Sequence, residues 1–124
     1  EWEYACRAGT TTAYSWGSSI ATSNYSSSGI SQTRDVGQYA ANPWGFFDMH
    51  GNVWEWTADW YGNYPTGAVN NPVGPADGSL RVKRGGSWLD SAIDARSADR
   101  DWGVPAYSDA NLGFRLSLRP PASK

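Results

Sequence analysis

The chain has 124 residues, enough for one domain around one core. Its net charge of −2 gives no basic field to hold nucleic acid or an anionic membrane surface, and no apolar stretch approaches the roughly 20 residues that span a bilayer. Eight tryptophans and 14 glycines predict a core of a few large rings anchoring irregular loops, while the lone cysteine, Cys6, excludes an internal disulfide framework and any cysteine metal cluster.

Residues 1–8 read as the end of a helix, with Trp2 and Cys6 one turn apart and Gly9 as the stop. Glu1-Trp2-Glu3-Tyr4 has neither the basic start nor the apolar run of a signal peptide. Residues 10–35, rich in Ser, Thr, Gly and Asn, predict a long surface loop. Asn42-Pro43-Trp44-Gly45 is a turn, and His50-Gly51-Asn52 a second one. Between Val53 and Thr57 the alternation of a strand puts Trp54 and Trp56 on one side and Val53, Glu55 and Thr57 on the other. Residues 62–79, with Pro65, Pro72 and Pro75, form another loop, and Arg81 to Leu89 is strand-like. Leu112 to Leu118 alternates as a closing strand, with Phe114, Leu116 and Leu118 expected inward. Trp54, Trp56, Trp60, Trp88 and Phe114 are the expected aromatic core. The class is α+β, with short antiparallel strands and much irregular structure.

Four motifs stand in order: Glu1-Trp2-Glu3-Tyr4-Ala5; Gly45 followed by Asp48 through Trp56 (DMHGNVWEW); Arg84-Gly85-Gly86-Ser87-Trp88; and Asn111-Leu112-Gly113-Phe114-Arg115. Together they resemble the sulfatase-modifying-factor family, whose type member is the formylglycine-generating enzyme. The resemblance implies a C-type-lectin-like fold. Residues 1–119 match the C-terminal part of that family's domain, so its N-terminal part is an expected partner, and residues 120–124 read as a tail.

The family's enzyme oxidises a cysteine with copper held by two cysteines shortly after the GGS-aromatic motif, and soft Cu(I) requires thiolates. Here Asp90 takes the first cysteine's place, no cysteine follows, and Cys6 sits in a different element, so no oxidase activity is expected. The related sulfoxide synthases use histidine-bound iron; His50 is the single histidine and reads as a turn residue beside Gly51. The resemblance also implies calcium at the GN turn, held by Asp48 and Glu55 through side chains and by Met49, Gly51 and Val53 through carbonyls. Calcium takes six to eight hard oxygens, which such a turn with water would supply. The alternative is that Asp48 caps the turn while Glu55 pairs with Arg81 or Arg115. Asn24 and Tyr25 match the start of a second calcium loop whose acidic residue is missing, and that site is expected to be lost.

In residues 89–109 a family framework of Arg96, Ser97, Ala98, Arg100 and Pro105 is filled in by Leu89, Asp90, Ser91, Ile93, Asp94, Asp99, Asp101, Trp102, Gly103, Val104, Ala106, Tyr107 and Ser108. This mosaic resembles the variable proteins of diversity-generating retroelements, in which adenine-directed mutagenesis rewrites Asn codons. Every filler except Trp102 is reachable from an AAY codon. The expected role is a non-catalytic binding module that takes a protein or small ligand through 89–108, with Trp102 and Tyr107 as anchors and four aspartates as a negative face. Cell-surface display or secretion is the location that goes with such a role. The alternatives are an ordinary solvated loop on a structural domain, and an accessory or substrate-recognition part of a larger enzyme of the formylglycine-generating or sulfoxide-synthase type. No Glu-Pro-Asn tripeptide is present, so a lectin-type sugar site is not expected.

Overall fold

The computed structural model describes residues 1–19, 31–70 and 72–118. Helix α1 spans Trp2–Arg7 and closes on Ala8, which adopts the left-handed conformation (φ 46°). Strands β1 (Trp54–Trp60), β2 (Arg81–Arg84), β3 (Asp101–Gly103) and β4 (Leu112–Gly113) form one sheet in the order β3-β2-β1-β4. β1 pairs antiparallel with β2 and parallel with β4, and β2 pairs antiparallel with β3. A 3₁₀ turn, Ala92–Ala95, lies between β2 and β3. The architecture is the expected α+β one, with a short sheet, one short helix and long irregular connections among the described residues.

The pleat sorts the side chains. Trp56 lies opposite Lys83, and Lys83 opposite Asp101, so these share a face with Trp54 and Gly103. On that face the Lys83 ammonium caps the Trp54 ring, 4.7 Å from its centroid, and the Arg81 guanidinium lies 3.5 Å over Trp60. Glu55, Val82, Arg84 and Trp102 take the opposite face. Helix α1 docks there: the Trp2 indole N–H donates to Glu55 (2.6 Å) and Arg84 pairs with Glu3 (3.1 Å). β2 ends at Arg84, short of Leu89, because Gly85 and Gly86 both take positive φ. A side chain at Gly86 would press into the backbone of Asp94 and Ala95 at 3.0 Å.

Three expectations change. Phe114, Leu116 and Leu118 are 72, 90 and 98% exposed, because β4 stops at Gly113 and no element among the described residues lies over them. Of the five expected core aromatics only Trp54 is buried; Trp56, Trp60 and Trp88 are half-buried and Phe114 is exposed. The loop after α1 is not wholly on the surface either. Tyr14 and Ser15 are buried, Tyr14 stacks on Trp16 (4.9 Å) and its hydroxyl donates to the Ala92 carbonyl (2.8 Å). Positions 20–30, which include Asn24 and Tyr25, lie outside the described residues, as does the tail.

The inner knot is polar. His50 is buried, its Nδ1 lies 2.7 Å from the Ala95 carbonyl, and Nε2 accepts the Ser15 amide (3.2 Å). This assigns a neutral ring with the proton on Nδ1. Cys6 packs against it, with Sγ 3.5 Å from Nε2, and burial pushes the thiol up to about 12. Burial also lowers the His50 pKa below its usual 6.5, against the opposing pull of the Ala95 carbonyl.

Below pH 6.5 the unfolded chain therefore takes up a proton that the folded chain refuses. Stability is expected to be full above that pH and to fall as pH drops from 6.5 toward the folded value, measured by urea unfolding at stepped pH. His50→Ala, which orphans the Ser15 amide and the Ala95 carbonyl, is expected to cost about 2–4 kcal/mol and to flatten that acid limb.

Candidate functional site

β3 and β4 lie at opposite edges of the sheet, so the connection 104–111 crosses over β2 and β1. On the Trp54 face Lys83 pairs with Asp101 (2.9 Å) at the start of β3. Residues 89–93 adjoin the same face through Asp90, whose carboxylate accepts the Trp54 indole N–H at 2.8 Å and the Ser87 hydroxyl. Asn111 donates to that hydroxyl oxygen as well (3.1 Å). The two halves of the predicted surface thus meet around one buried tryptophan, a neighbourhood that residue types alone did not reveal.

The four aspartates do not form a free negative face. Asp90 holds Trp54 and Ser87. Asp94 accepts the amide (3.1 Å) and hydroxyl (2.8 Å) of Ser91 at the start of the 3₁₀ turn. Asp99 pairs with Arg96 (3.2 Å), and its pKa is raised by burial against the pull of that arginine. Asp101 is held by Lys83. Each carboxylate is engaged within the fold, so the surface that remains is apolar and hydroxylic: Leu89, Ser91, Ile93, Val104, Ala106, Tyr107 and Ser108 are all exposed. Tyr107 is held by a hydrogen bond to Asp109 (2.5 Å), which raises the phenol's pKa and lowers that of the carboxylate.

Trp102 separates from this group. As the partner of Val82 it takes the opposite face of the sheet, where its ring lies 6.2 Å from Tyr61. Arg100 sits between Tyr61 and Tyr64, 4.8 and 3.8 Å from their ring centroids, and donates to the Gly62 carbonyl (2.6 Å). Tyr61 and Tyr64 were not among the predicted contacts; their spacing on a Gly/Pro-rich loop was the available signal.

The predicted calcium donors come together. Asp48, Gly51, Val53 and Glu55 line one cleft of about 420 Å³, with Val36, Phe47, Phe114 and Arg115 at its walls, whereas Met49 is buried and does not line it, its carbonyl accepting the Cys6 thiol (3.6 Å). Asp48 and Asn52 both hold left-handed backbone (φ 56° and 67°), which shapes the turn. The carbonyls of Gly51 and Val53 accept no backbone hydrogen bond among the described residues. Of the sequence alternatives one is visible, Arg115 gripping Glu55, whereas Asp48 accepts the amide of Gly37 (2.7 Å), outside the GN turn. Among the described residues no three His, Cys, Asp or Glu side chains cluster for a metal. The donors on offer are hard oxygens, two of them carboxylate groups and the rest carbonyls, and that chemistry fits calcium and not copper or zinc. Cys6, the only thiol, is buried beside His50, away from Asp90's position at Trp54.

The sulfatase-modifying factor enzyme 1-like domain model matches residues 1–119. The chain belongs to that family. It is 34% identical to the formylglycine-generating enzyme of Mus musculus over 94% of this chain and 37% of that protein. It is 43% identical to the serine/threonine-protein kinase pkn1 of Chlamydia caviae over 94% of this chain and 20% of that one. Among solved structures, Treponema denticola variable protein 1 superposes with a TM-score of 0.90 at 36% identity, covering 97% of this chain and 45% of the other. This sulfatase-modifying-factor-type chain therefore spans less than half the length of each of these relatives.

The side chains sort the predicted positions into tied and free. A Cβ at Gly103 would meet the Trp56 ring at 2.8 Å. Gly103→Val is expected to cost about 1–3 kcal/mol by overpacking, and Asp90→Ala a similar amount by orphaning the Trp54 indole. Val104→Ser and Ala106→Asn are expected to stay within about 0.5 kcal/mol. Chemical denaturation of the four variants checks the ranking; equal costs at all four would refute it.

Proposed function

We propose that this chain is a non-catalytic ligand-binding module, a variable protein of a diversity-generating retroelement, which takes a protein or small ligand on Leu89, Ser91, Ile93, Val104, Ala106, Tyr107 and Ser108. Trp102, with Tyr61 and Tyr64, supplies an aromatic flank on the other face. The observation that carries the reading is the division of labour within 89–108. Aspartates, Gly103 and the Trp54–Lys83 pair are engaged inside the fold, while the exposed positions between them bear chemically unrelated side chains on a fixed backbone. Such a surface tolerates substitution without loss of fold and offers Tyr107 as a large contact residue of low entropy cost. The likeness to a protein named a variable protein supports it, as does the single cysteine, which leaves a two-thiolate copper centre without its ligands.

The exposed strip Phe114, Leu116 and Leu118 supports the second element of the proposal. The N-terminal part of the family domain covers it, since three adjacent large apolar side chains left in water are unfavourable in a finished domain. Calcium, held by Asp48, Met49, Gly51, Val53 and Glu55, is the third element and has a structural role, joining the GN turn to β1.

A second reading is favoured by one observation: the Chlamydia caviae kinase carries a matching stretch as 20% of a longer protein. In that reading the chain is a recognition domain within a larger enzyme.

The coding locus separates the two. A neighbouring reverse transcriptase and a near-copy of codons 88–115, with adenines at the differing bases, is the expected finding, and a locus with neither sinks the retroelement reading. For calcium, millimolar CaCl2 is expected to raise the thermal midpoint by several degrees and Asp48→Asn to remove most of that rise. An unchanged midpoint removes calcium from the proposal.

A further inference from the structure

The cleft that gathers the calcium donors already contains a cation. Arg115 enters it two residues beyond β4. Its Nε donates to Glu55 Oε2 at 2.6 Å and its Nη2 to Oε1 at 2.5 Å. Nη2 also reaches the carbonyls of Phe47 (3.1 Å) and Asp48 (3.2 Å). Nη2 carries two hydrogens and has three acceptors, so these contacts share them. Oε2 additionally accepts the Trp2 indole N–H at 2.6 Å. A carboxylate has about four lone-pair positions, and three are taken here. The one left is on Oε1, which has Nη2 as its sole partner among the described residues.

We infer that Arg115 is a built-in competitor that sets how tightly this chain holds calcium in the cleft, an inference that rests on the calcium reading above. Two features of the geometry carry it. The guanidinium occupies Glu55 in the two-pronged manner that a bidentate calcium ligand requires, so an ion approaching Glu55 meets one lone pair where it would take two. Its positive charge also stands against the same wall of the cleft, and like charges at this range are poorly screened beside a carboxylate that is largely out of water.

Ion entry then has a structural consequence. Drawing Glu55 toward the ion loosens Arg115 from the Phe47 and Asp48 carbonyls and shifts the acceptor of the Trp2 indole. Helix α1 and the end of β4 both sense occupancy of the cleft through one carboxylate. The cleft wall that holds Phe114 belongs to the same apolar strip that awaits a covering element, so the affinity set by Arg115 bears on how that strip is presented.

The test is a calorimetric CaCl2 titration of the unaltered chain, Arg115→Gln and Arg115→Lys. It is paired with nitrogen–proton spectra that follow the Trp2 indole and Arg115 Nε resonances. Gln keeps hydrogen-bonding capacity and removes the charge; Lys keeps the charge and loses the fork. Arg115→Gln is expected to bind calcium about tenfold more tightly than the unaltered chain, and Arg115→Lys close to it. Equal or weaker binding by a folded Arg115→Gln overturns the competition while leaving the calcium reading intact. Should the Gln variant not fold, the unaltered chain decides: saturating calcium is expected to shift both resonances, and binding that moves neither overturns the inference. Absence of binding in every folded protein overturns the calcium reading itself.

Discussion

His50 joins three segments that have no ladder between them: the Ser15 loop through Nε2, the 3₁₀ turn through Nδ1, and α1 through the thiol of Cys6. The rest of the structure depends on this kind of constraint. With strands of seven, four, three and two residues and a helix of six, backbone ladders satisfy few of the chain's polar groups. Buried side chains take over that work. Asn42 spans from α1 to its own turn, donating to the carbonyls of Ala5 and Cys6 and accepting the amides of Trp44 and Phe46. Asn52 exchanges bonds with the Arg34 backbone, and Ser87 links Asp90 with Asn111. A side chain of this sort is costly when its partner is removed, so each acts as a register pin for a loop that has no strand neighbour.

The same arrangement explains how a surface is freed for other uses. The aspartates of 89–101 look from composition like a field offered to a partner, yet Asp94 and Asp99 close local bonds while Asp90 and Asp101 tie to Trp54 and Lys83 of the sheet. What remains exposed is short, mixed and apolar, beside aspartates tied to the Trp54–Lys83 pair. Because the crossing connection must reach from one sheet edge to the other, its path is dictated by topology and not by its residue types.

Glu55 plays the corresponding role on the other face of β1. Its carboxylate gathers an indole, a guanidinium and the walls of the GN-turn cleft, and it ties α1 to β4 across the sheet. A carboxylate buried among donors needs a compensating charge, and here Arg115 supplies it.

Much of this was legible in the residues. Gly9, Gly45 and the Gly85–Gly86 pair mark stops and turns because few other residues adopt their backbone angles. The alternation in Val53–Thr57 defines a two-faced strand, and the four ordered motifs define the family. The grouping of Asp48, Gly51, Val53 and Glu55 follows because they are close in sequence. Long-range pairing was decided by tertiary structure alone. Alternation made Phe114, Leu116 and Leu118 look inward, but periodicity reports which residues share a side and is silent on whether anything covers that side. His50 read as a turn residue because its partners lie 35 to 45 residues away in sequence. Trp102 and Tyr107 looked like one patch because they are five residues apart, yet the pleat of β3 turns Trp102 toward Tyr61 while Tyr107 bonds Asp109. A sequence specifies local geometry through sterics and spacing; which side chains meet across loops is set only when the chain has closed on itself.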